Sequence, residues 1–118
     1  MNSPSEINPL EITCSEVKAK LDSREVFVLL DCREQVEFDF AHLEGAVFIP
    51  MSELTTRYEE LAEHREQELV VYCHHGQRSL HVAHWLQNQG FTNVKSMNGG
   101  IDCWSLEIDP EIPRYQMG

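Results

Sequence analysis

The chain has 118 residues, of which 42% are hydrophobic, and a formal net charge of −11, which suits one globular domain over residues 1–118. The negative charge argues against nucleic acid as a partner, because binding it needs a basic face. No apolar run is long enough to span a bilayer, and the first residues lack the pattern of a secretory signal, so we expect a cytoplasmic protein with no membrane partner.

The first half of the chain alternates apolar runs with helical patterns, which predicts an α/β domain with a mainly parallel sheet. Thr13 and Glu16 form a capping-box pattern that begins a helix over about 14–21. A continuous apolar run over 26–31 predicts a buried central strand. The polar and aromatic segment 33–46 predicts a loop that holds a short helix.

The middle of the chain continues the alternation. A short strand over 47–50 ends at Pro50, and Ser52 is expected to cap a helix over about 53–63. A third buried strand covers 69–72.

A helix over 79–89 then ends at Gly90 as its C-cap. Another strand follows near 93–97, and the segment NGGIDCW begins a last short helix. Pro110 and Pro113 predict an extended, non-helical tail over 107–118. The domain core is therefore expected over about 11–106.

The four cysteines, Cys14, Cys32, Cys73 and Cys103, include no CxxC pair. In a cytoplasmic chain this spacing argues against a disulfide framework and against a compact zinc site. Cys14 and Cys103 are most simply small buried side chains. Cys32 has the same simple interpretation, with a resolving role near the site as the alternative.

Cys73 stands at the end of a predicted strand, at the edge of the sheet where α/β proteins bind their ligands. The free N–H groups and the positive dipole end of the next helix point back toward this loop. Gly76 allows a tight curl, and Arg78 adds a permanent positive charge. These features favour the nucleophilic thiolate and would stabilise a covalent intermediate with a negatively charged outer atom.

Three segments resemble the rhodanese family of sulfurtransferases. VVYCHHGQRS (70–79) is similar to the family's active-site loop. LLDCREQVEFDFAHLEGAVFIP (29–50) has an Asp-x-Arg after a strand and a His-x-x-Gly-Ala before the next one, and QGFTNVKSMNGGIDCW (89–104) has the family's double glycine and tryptophan. The resemblance covers roughly residues 11–106 and implies a three-layer α/β/α domain with a mainly parallel sheet of about five strands.

The resemblance also implies a chemistry. Cys73 would attack the outer sulfur of a small anionic donor such as thiosulfate, hold it as a persulfide, and pass it to a thiol, to cyanide or to a protein acceptor. The main-chain N–H groups of residues 74–78 would cradle the persulfide, with no metal and no organic cofactor. The residues expected to bind the substrate are His74, His75, Gly76, Gln77 and Arg78.

The resemblance assigns loop support to Asp31, Arg33 and Ser79. Asp31, at the end of its strand, is expected to hold the loop through Arg78 or Ser79.

Three alternatives remain open from the residues alone. Dual-specificity phosphatases, like related arsenate reductases, use a loop cysteine, but the phosphatases place arginine six positions after it, whereas Arg78 is five positions after Cys73. The smaller loop should fit a single sulfur atom better than a phosphoryl group.

A metal site could use the nearby histidines, His74, His75, His81 and His84. The domain could also be a binding or sulfur-carrier module that docks on a partner enzyme.

Overall fold

Five short parallel strands form the centre of the computed structural model, which describes residues 9–116. The strands are β1 (Glu11–Ile12), β2 (Val28–Asp31), β3 (Val47–Phe48), β4 (Leu69–Tyr72) and β5 (Val94–Met97). Their spatial order is β1-β5-β4-β2-β3, and all neighbouring pairs are parallel. The predicted α/β fold class is thus confirmed, and the carboxyl ends of all five strands meet at one edge of the sheet.

Helices cover both faces of the sheet. They are α1 (Cys14–Asp22), α2 (Gln35–Phe40), α3 (Leu54–Arg57), α4 (Gln77–Asn88) and α5 (Gly100–Glu107). Because successive strand residues point to opposite faces, Leu30 and Leu29 of β2 belong to two different hydrophobic clusters. One cluster includes Leu86 of α4, and the other includes Val17 of α1 and Trp104 of α5. The domain therefore has the expected three layers.

The start of α1 matches its sequence pattern. The Thr13 side chain accepts a hydrogen bond from the backbone of Glu16, and the Glu16 side chain accepts one from the backbone of Thr13. The predicted capping box is therefore confirmed. Strand β1, which directly precedes it, was missed because two residues are too few to show an alternating pattern.

The predicted helix over 53–63 is only partly confirmed, and the predicted Ser52 cap is wrong. A 3₁₀ turn (Met51–Glu53), the single α-helical turn α3 and a 3₁₀ segment (Tyr58–His64) form this segment. The buried residues of this segment are Leu54 and Leu61, so tertiary packing gives little support to a continuous α-helix. The Ser52 hydroxyl instead donates to Oε1 of Glu34 at 2.8 Å.

The tail after α5 is non-helical to residue 116, as the two prolines predicted. It is not excluded from the core, however, because Tyr115 is only 8% exposed and belongs to the cluster beneath α1 and α5. Across residues 9–116, the helices are too short and too polar to cross a bilayer.

Candidate active site

The thiol of Cys73 lies where β4 gives way to α4, at the carboxyl edge of the sheet. Its Sγ accepts hydrogen bonds from the backbone N–H of Gly76 at 3.1 Å and of Ser79 at 3.3 Å. The Ser79 hydroxyl lies 3.5 Å from the same sulfur. The sulfur is therefore held by inward-facing backbone donors, although Cys73 is only 1% exposed and belongs to the same hydrophobic cluster as Leu30. Ser79 lies just outside the 74–78 range expected for this cradle.

Gly76 shapes the loop. Its φ of 102° places it in the left-handed region, where it precedes α4 as the N-cap. This conformation favours glycine, and it lets α4 begin at Gln77, two residues earlier than the sequence pattern indicated. The first free N–H groups of α4 are thereby brought to the sulfur, where they and the helix dipole stabilise negative charge.

The first turn of α5 supports the other side of the loop. The N–H groups of Ile101 and Asp102 donate to the carbonyl oxygens of Cys73 at 2.8 Å and His74 at 3.1 Å. Gly100 makes this approach possible, because a Cβ at that position would collide with both carbonyl oxygens. The double glycine recognised in the sequence therefore lets α5 dock on the cysteine loop.

The Arg78 guanidinium pairs with the carboxylate of Glu37 in α2. Its Nη1 and Nη2 each donate to one carboxylate oxygen of Glu37 at 2.8 Å. Burial alone would raise the pKa of Glu37, but the hydrogen bonds from Arg78, from the backbone of Glu34 and from Tyr115 lower it to about 2. The two charges neutralise each other, so Arg78 fastens the start of α4 to α2.

The expectation that Asp31 holds the loop through Arg78 or Ser79 is wrong. Asp31 instead accepts from Nε of Arg33 at 2.9 Å and from its Nη2 at 2.6 Å, and both side chains are fully buried. Although burial opposes the charge on Arg33, the carboxylate of Asp31 holds the pKa of that guanidinium above its usual value. Because Arg33 is only two residues away, it occupies the carboxylate that was expected to reach the loop.

Tyr115 connects these two ion pairs. Its hydroxyl donates to Oε2 of Glu37 at 2.9 Å and accepts from Nη1 of Arg33 at 2.9 Å. Burial raises its pKa to about 12, so the hydroxyl keeps its proton at neutral pH. Asp31 is thus linked to Arg78 indirectly, through Arg33, Tyr115 and Glu37.

Sequence reasoning missed Glu37 and Tyr115. Glu37 is one of 20 acidic residues in the chain. The only local signal that marks it is its position three residues after Glu34, in a capping box. Tyr115 is an isolated aromatic residue in a tail that carries no periodicity. Its position against the loop depends on the path of the tail, which local patterns do not encode.

The two loop histidines stack on one another with ring centroids 3.9 Å apart. His74 also stacks on Tyr115 at 3.8 Å, and its Nε2 is buried without a hydrogen-bond partner among residues 9–116. Burial and the neighbouring His75 lower the pKa of His74, so its ring is neutral at neutral pH. His75 is exposed and lies 3.7 Å from Oδ2 of Asp102.

A small cavity of about 140 Å³ is lined by Cys73, His74, His75, Gln77 and Arg78. The structure therefore brings the predicted nucleophile together with four of the five residues predicted to bind substrate, and Gly76 provides an N–H beneath them. A larger cavity of about 320 Å³ lies beside α4 and is lined by His81 and His84 among others, but not by Cys73. The size and lining of the smaller cavity suit a small anion.

The four histidines proposed as alternative metal ligands do not form one group in the structure. His74 and His75 have donor atoms within 4.8 Å of Asp102, whereas His81 and His84 line the separate cavity. Arg114 donates to Asp102 through Nε at 2.8 Å, so a cation at that carboxylate would compete with a guanidinium. A metal site formed by all four histidines would need α4 to be rearranged.

Cys32 lies at the end of β2, next to the cysteine loop. It is fully buried, and its Sγ donates to the carbonyl oxygen of Tyr72 at 3.5 Å. Burial, followed by the neighbouring Cys73 and Asp31, raises the pKa of Cys32 well above its usual value. The thiol is thus kept protonated, and the simple interpretation as a packed side chain fits it better than a resolving role.

Comparison with known proteins reveals relatives in sequence and in structure. The family model of the rhodanese-like domain matches residues 13–107. Among curated relatives, the putative sulfur carrier protein YrkF of Bacillus subtilis is 38% identical over 95 residues, which cover 80% of this chain and 50% of that protein. This chain spans half or less of the length of the curated relatives it matches.

Two solved structures are also similar. A rhodanese-related protein from Thermoplasma volcanium superposes with a TM-score of 0.75 and 28% identity, covering 89% of this chain and 98% of that one. The thiosulfate sulfurtransferase from Pseudomonas aeruginosa gives a TM-score of 0.76 and 30% identity, covering 91% of this chain and 20% of that one.

Proposed function

The chain belongs to the rhodanese-like domain family, and from this premise we propose that it is a sulfurtransferase. Cys73 takes a sulfane sulfur from a small anionic donor such as thiosulfate and passes it to a thiol or to cyanide. The observation that carries the proposal is the position of the Cys73 sulfur, which accepts hydrogen bonds from the N–H groups of Gly76 and Ser79 at the start of α4.

The reaction has two displacement steps. In the first, the Cys73 thiolate attacks the outer sulfur of thiosulfate, the sulfur–sulfur bond of the donor breaks, and sulfite leaves with the bonding electron pair. In the second, a cyanide carbon or an acceptor thiolate attacks the outer sulfur of the persulfide, and Cys73 leaves as the thiolate. Both steps place negative charge on sulfur, where fixed N–H donors and a helix dipole stabilise it without reorganisation.

Capture of an anionic donor has to overcome a formal net charge of −11. The guanidinium of Arg78 gives only part of the attraction, because the carboxylate of Glu37 neutralises it. The backbone donors around Cys73 are not neutralised in this way. We therefore assign donor binding mainly to the loop amides, with His74, His75 and Gln77 shaping access to the cavity.

The same ion pair argues against phosphoryl transfer. A phosphatase of this architecture needs its loop arginine to hold the phosphate group. Arg78 instead gives both of its Nη donors to Glu37, and that carboxylate would repel a phosphate dianion. Sulfur transfer needs only one atom in the amide cradle and is compatible with a neutralised arginine.

A protein thiol is the second acceptor that we propose, in which case the domain acts as a sulfur carrier for a partner enzyme. This is favoured by the likeness to a putative sulfur carrier protein, half of which the chain covers.

We also propose a cytoplasmic location. The four free cysteines support it, because reducing compartments keep thiols unpaired.

Mass spectrometry tests the reaction class directly. After incubation with thiosulfate, the peptide that contains Cys73 should gain the mass of one sulfur atom, and cyanide should remove it and yield thiocyanate. Cys73→Ser should neither load sulfur nor form thiocyanate, with its far-UV circular dichroism unchanged. Cys32→Ala is the matched control, because it removes a thiol that has no amide cradle, and it should load normally.

Sulfur found on Cys32, or thiocyanate formed by Cys73→Ser at the wild-type rate, would overturn the assignment of Cys73. Loading from glutathione persulfide but not from thiosulfate would retain sulfur transfer and replace the donor. Phosphate release from a phenyl phosphate without any sulfur loading would favour the phosphatase alternative.

A further inference from the structure

Two sulfur atoms that do not line the cavity at Cys73 lie close to each other. Sγ of Cys14, the first residue of α1, is 3.0 Å from Sγ of Cys103 in α5, although the two residues are 89 positions apart. Cys14 is 2% exposed, whereas Cys103 is partly exposed. The sequence indicated only two separate packed side chains, because nothing in the local patterns places α1 beside α5.

We propose that Cys14 and Cys103 are a reversible dithiol–disulfide site whose co-substrate is a low-molecular-weight disulfide. A sulfur–sulfur bond is about 2 Å long, so the two atoms need to approach by about one ångström. The difference in exposure sets the order of events. Cys103 can meet a small molecule in solution, and Cys14 lies behind it in position to resolve the product.

The exchange balances in two steps. The Cys103 thiolate attacks one sulfur of the small disulfide, forming a mixed disulfide and releasing one thiolate. The Cys14 thiolate then attacks Sγ of Cys103, forming the intramolecular bond and releasing the second thiolate. Two protein thiols are oxidised and one small disulfide is reduced to two thiols, with the two protons taken up by the departing thiolates.

Zinc is the competing ligand for these side chains. Donor atoms of Cys14, Cys103 and Glu107 lie within 4.8 Å of one another, and Oε1 of Glu107 accepts from Sγ of Cys14 at 3.5 Å. Tetrahedral zinc holds two thiolate sulfurs about 3.8 Å apart, given its bond length of about 2.3 Å. The observed 3.0 Å between the sulfurs is shorter than this, so the geometry favours a disulfide.

Disulfide formation would fasten α1 to α5, and α5 is the helix whose first turn holds the carbonyl oxygens of Cys73 and His74. The bond would close a loop of almost the whole domain and restrict the unfolded chain, which raises stability. The proposal is independent of sulfur transfer, because Cys14 and Cys103 do not line the cavity at Cys73.

The test uses the full chain in the wild-type form and as Cys73→Ser, which removes competing reactions at the proposed nucleophile. Each protein is incubated with oxidised glutathione until the reaction stops, because burial raises the pKa of both thiols and makes exchange slow. Non-reducing peptide mapping should then show a Cys14–Cys103 linkage with the loss of two hydrogen masses. The oxidised protein should have a higher Tm, and dithiothreitol should reverse both changes.

Cys103→Ser should abolish the linkage and the Tm increase, and Cys32→Ala should retain both. Because the primary measurement is made on proteins with both thiols intact, a folding defect in a variant does not decide the result. The proposal is overturned if both thiols stay free for alkylation, or if Cys103 stops at the glutathione mixed disulfide. Zinc bound in equimolar amount, with protection of both thiols from oxidation, would also overturn it.

Discussion

Arg78 and Glu37 form a two-pronged ion pair, with each Nη donating to one carboxylate oxygen at 2.8 Å. Arg78 lies in the first turn of α4 and Glu37 in α2, so the pair joins the helix that presents the amide cradle to the helix beside it. Glu37 is largely buried and Arg78 is partly exposed. The pair therefore acts mainly by holding the start of α4 in position for the Cys73 sulfur.

Arg78→Ala should impair both stability and sulfur loading. It leaves the Glu37 carboxylate without its two charged donors, which should reduce the free energy of unfolding by about 2 kcal/mol. Looser positioning of the amide cradle should lower kcat/KM for thiosulfate by about tenfold or more, equivalent to about 1.4 kcal/mol in the barrier. Arg78→Lys keeps the positive charge but cannot donate to both carboxylate oxygens of Glu37 in the same geometry. Its stability and its kcat/KM should therefore lie between those of the wild type and Arg78→Ala. Urea unfolding and thiocyanate formation measure the two effects.

Arg57 provides the matched control for that experiment. It also pairs with two carboxylates, those of Glu53 and Glu60, but these are exposed and the pairs lie in the helical segment before β4. Arg57→Ala should leave both the free energy of unfolding and kcat/KM nearly unchanged, because exposed ion pairs contribute little to stability. Equal effects of the two alanine variants on kcat/KM would contradict a positioning role for Arg78.

Glu37 should make stability sensitive to acid. Its pKa is lowered from 4.5 to about 2 in the folded protein, so the folded state favours the charged form. The stabilisation is fully present above pH 4.5 and is lost as the pH falls toward 2. Glu37→Gln should be less stable than the wild type at neutral pH, and the difference should shrink over this window. Thermal unfolding at a series of pH values measures it.

Glu60→Gln is the comparison for acid sensitivity, because Glu60 is also paired with an arginine but is exposed. Its stability curve should run nearly parallel to that of the wild type from neutral pH to acid. A Glu37→Gln curve that is equally parallel would show that Glu37 has an ordinary affinity for protons in the folded state.

The four longer-patterned strands and the place of Cys73 after one of them could be predicted from the sequence because their signals are local. The apolar run over 69–72 matches β4 residue for residue, and a strand, a glycine and a helical pattern in succession place Cys73 at an amide-rich loop. The helical segment before β4 was predicted, but its division into 3₁₀ and α-helical turns was not. The spacing of its apolar residues suggested one continuous helix. Only two residues of the segment are buried, however, so its contacts with the rest of the domain stabilise a continuous α-helix only weakly.

The ion-pair partners of the charged residues near the site could not be predicted from local sequence patterns. Asp31 and Arg78 were correctly placed at the same edge of the sheet. They do not pair with each other, however, because Asp31 forms its ion pair with Arg33 and Arg78 forms its ion pair with Glu37. Which of several nearby carboxylates an arginine meets depends on helix orientation within a few ångströms. Tyr115 shows the same limit, because the path of an irregular tail is decided by tertiary packing.

Tyr115→Phe should separate the two roles of this tail residue. The substitution keeps the ring that stacks on His74 and removes the hydroxyl that bridges Arg33 and Glu37. Losing one buried bridge between charged groups should reduce the free energy of unfolding by about 1–2 kcal/mol. Tyr115→Ala also loses the stacking and the buried ring, and should cost about 3 kcal/mol or more.

The two tyrosine variants should also differ in their effect on the loop. Tyr115→Ala exposes the buried face of His74 and should increase amide hydrogen exchange in residues 74–76, whereas Tyr115→Phe should leave that exchange nearly unchanged. Identical stability and exchange in both variants and the wild type would mean that the tail does not pack on the loop in solution.

Gly100→Ala should disturb the cysteine loop from the side of α5. The added Cβ would collide with the carbonyl oxygens of Cys73 and His74, so α5 and the loop would have to separate. Gly45→Ala is the matched control, because Gly45 also has a positive φ of 83° but no atom within 4 Å of the added carbon. Both variants carry the cost of a left-handed alanine, about 1–2 kcal/mol.

The difference between these two glycine variants therefore measures the collision alone. Gly100→Ala should lose about 1–3 kcal/mol more than Gly45→Ala in urea unfolding, as overpacked sites do. It should also lose most of its sulfur loading, because the strand-to-helix loop that aims the Gly76 and Ser79 N–H groups is displaced. Gly45→Ala should load sulfur at the wild-type rate. If Gly100→Ala is destabilised but loads sulfur normally, the docking of α5 supports the fold without positioning the cradle.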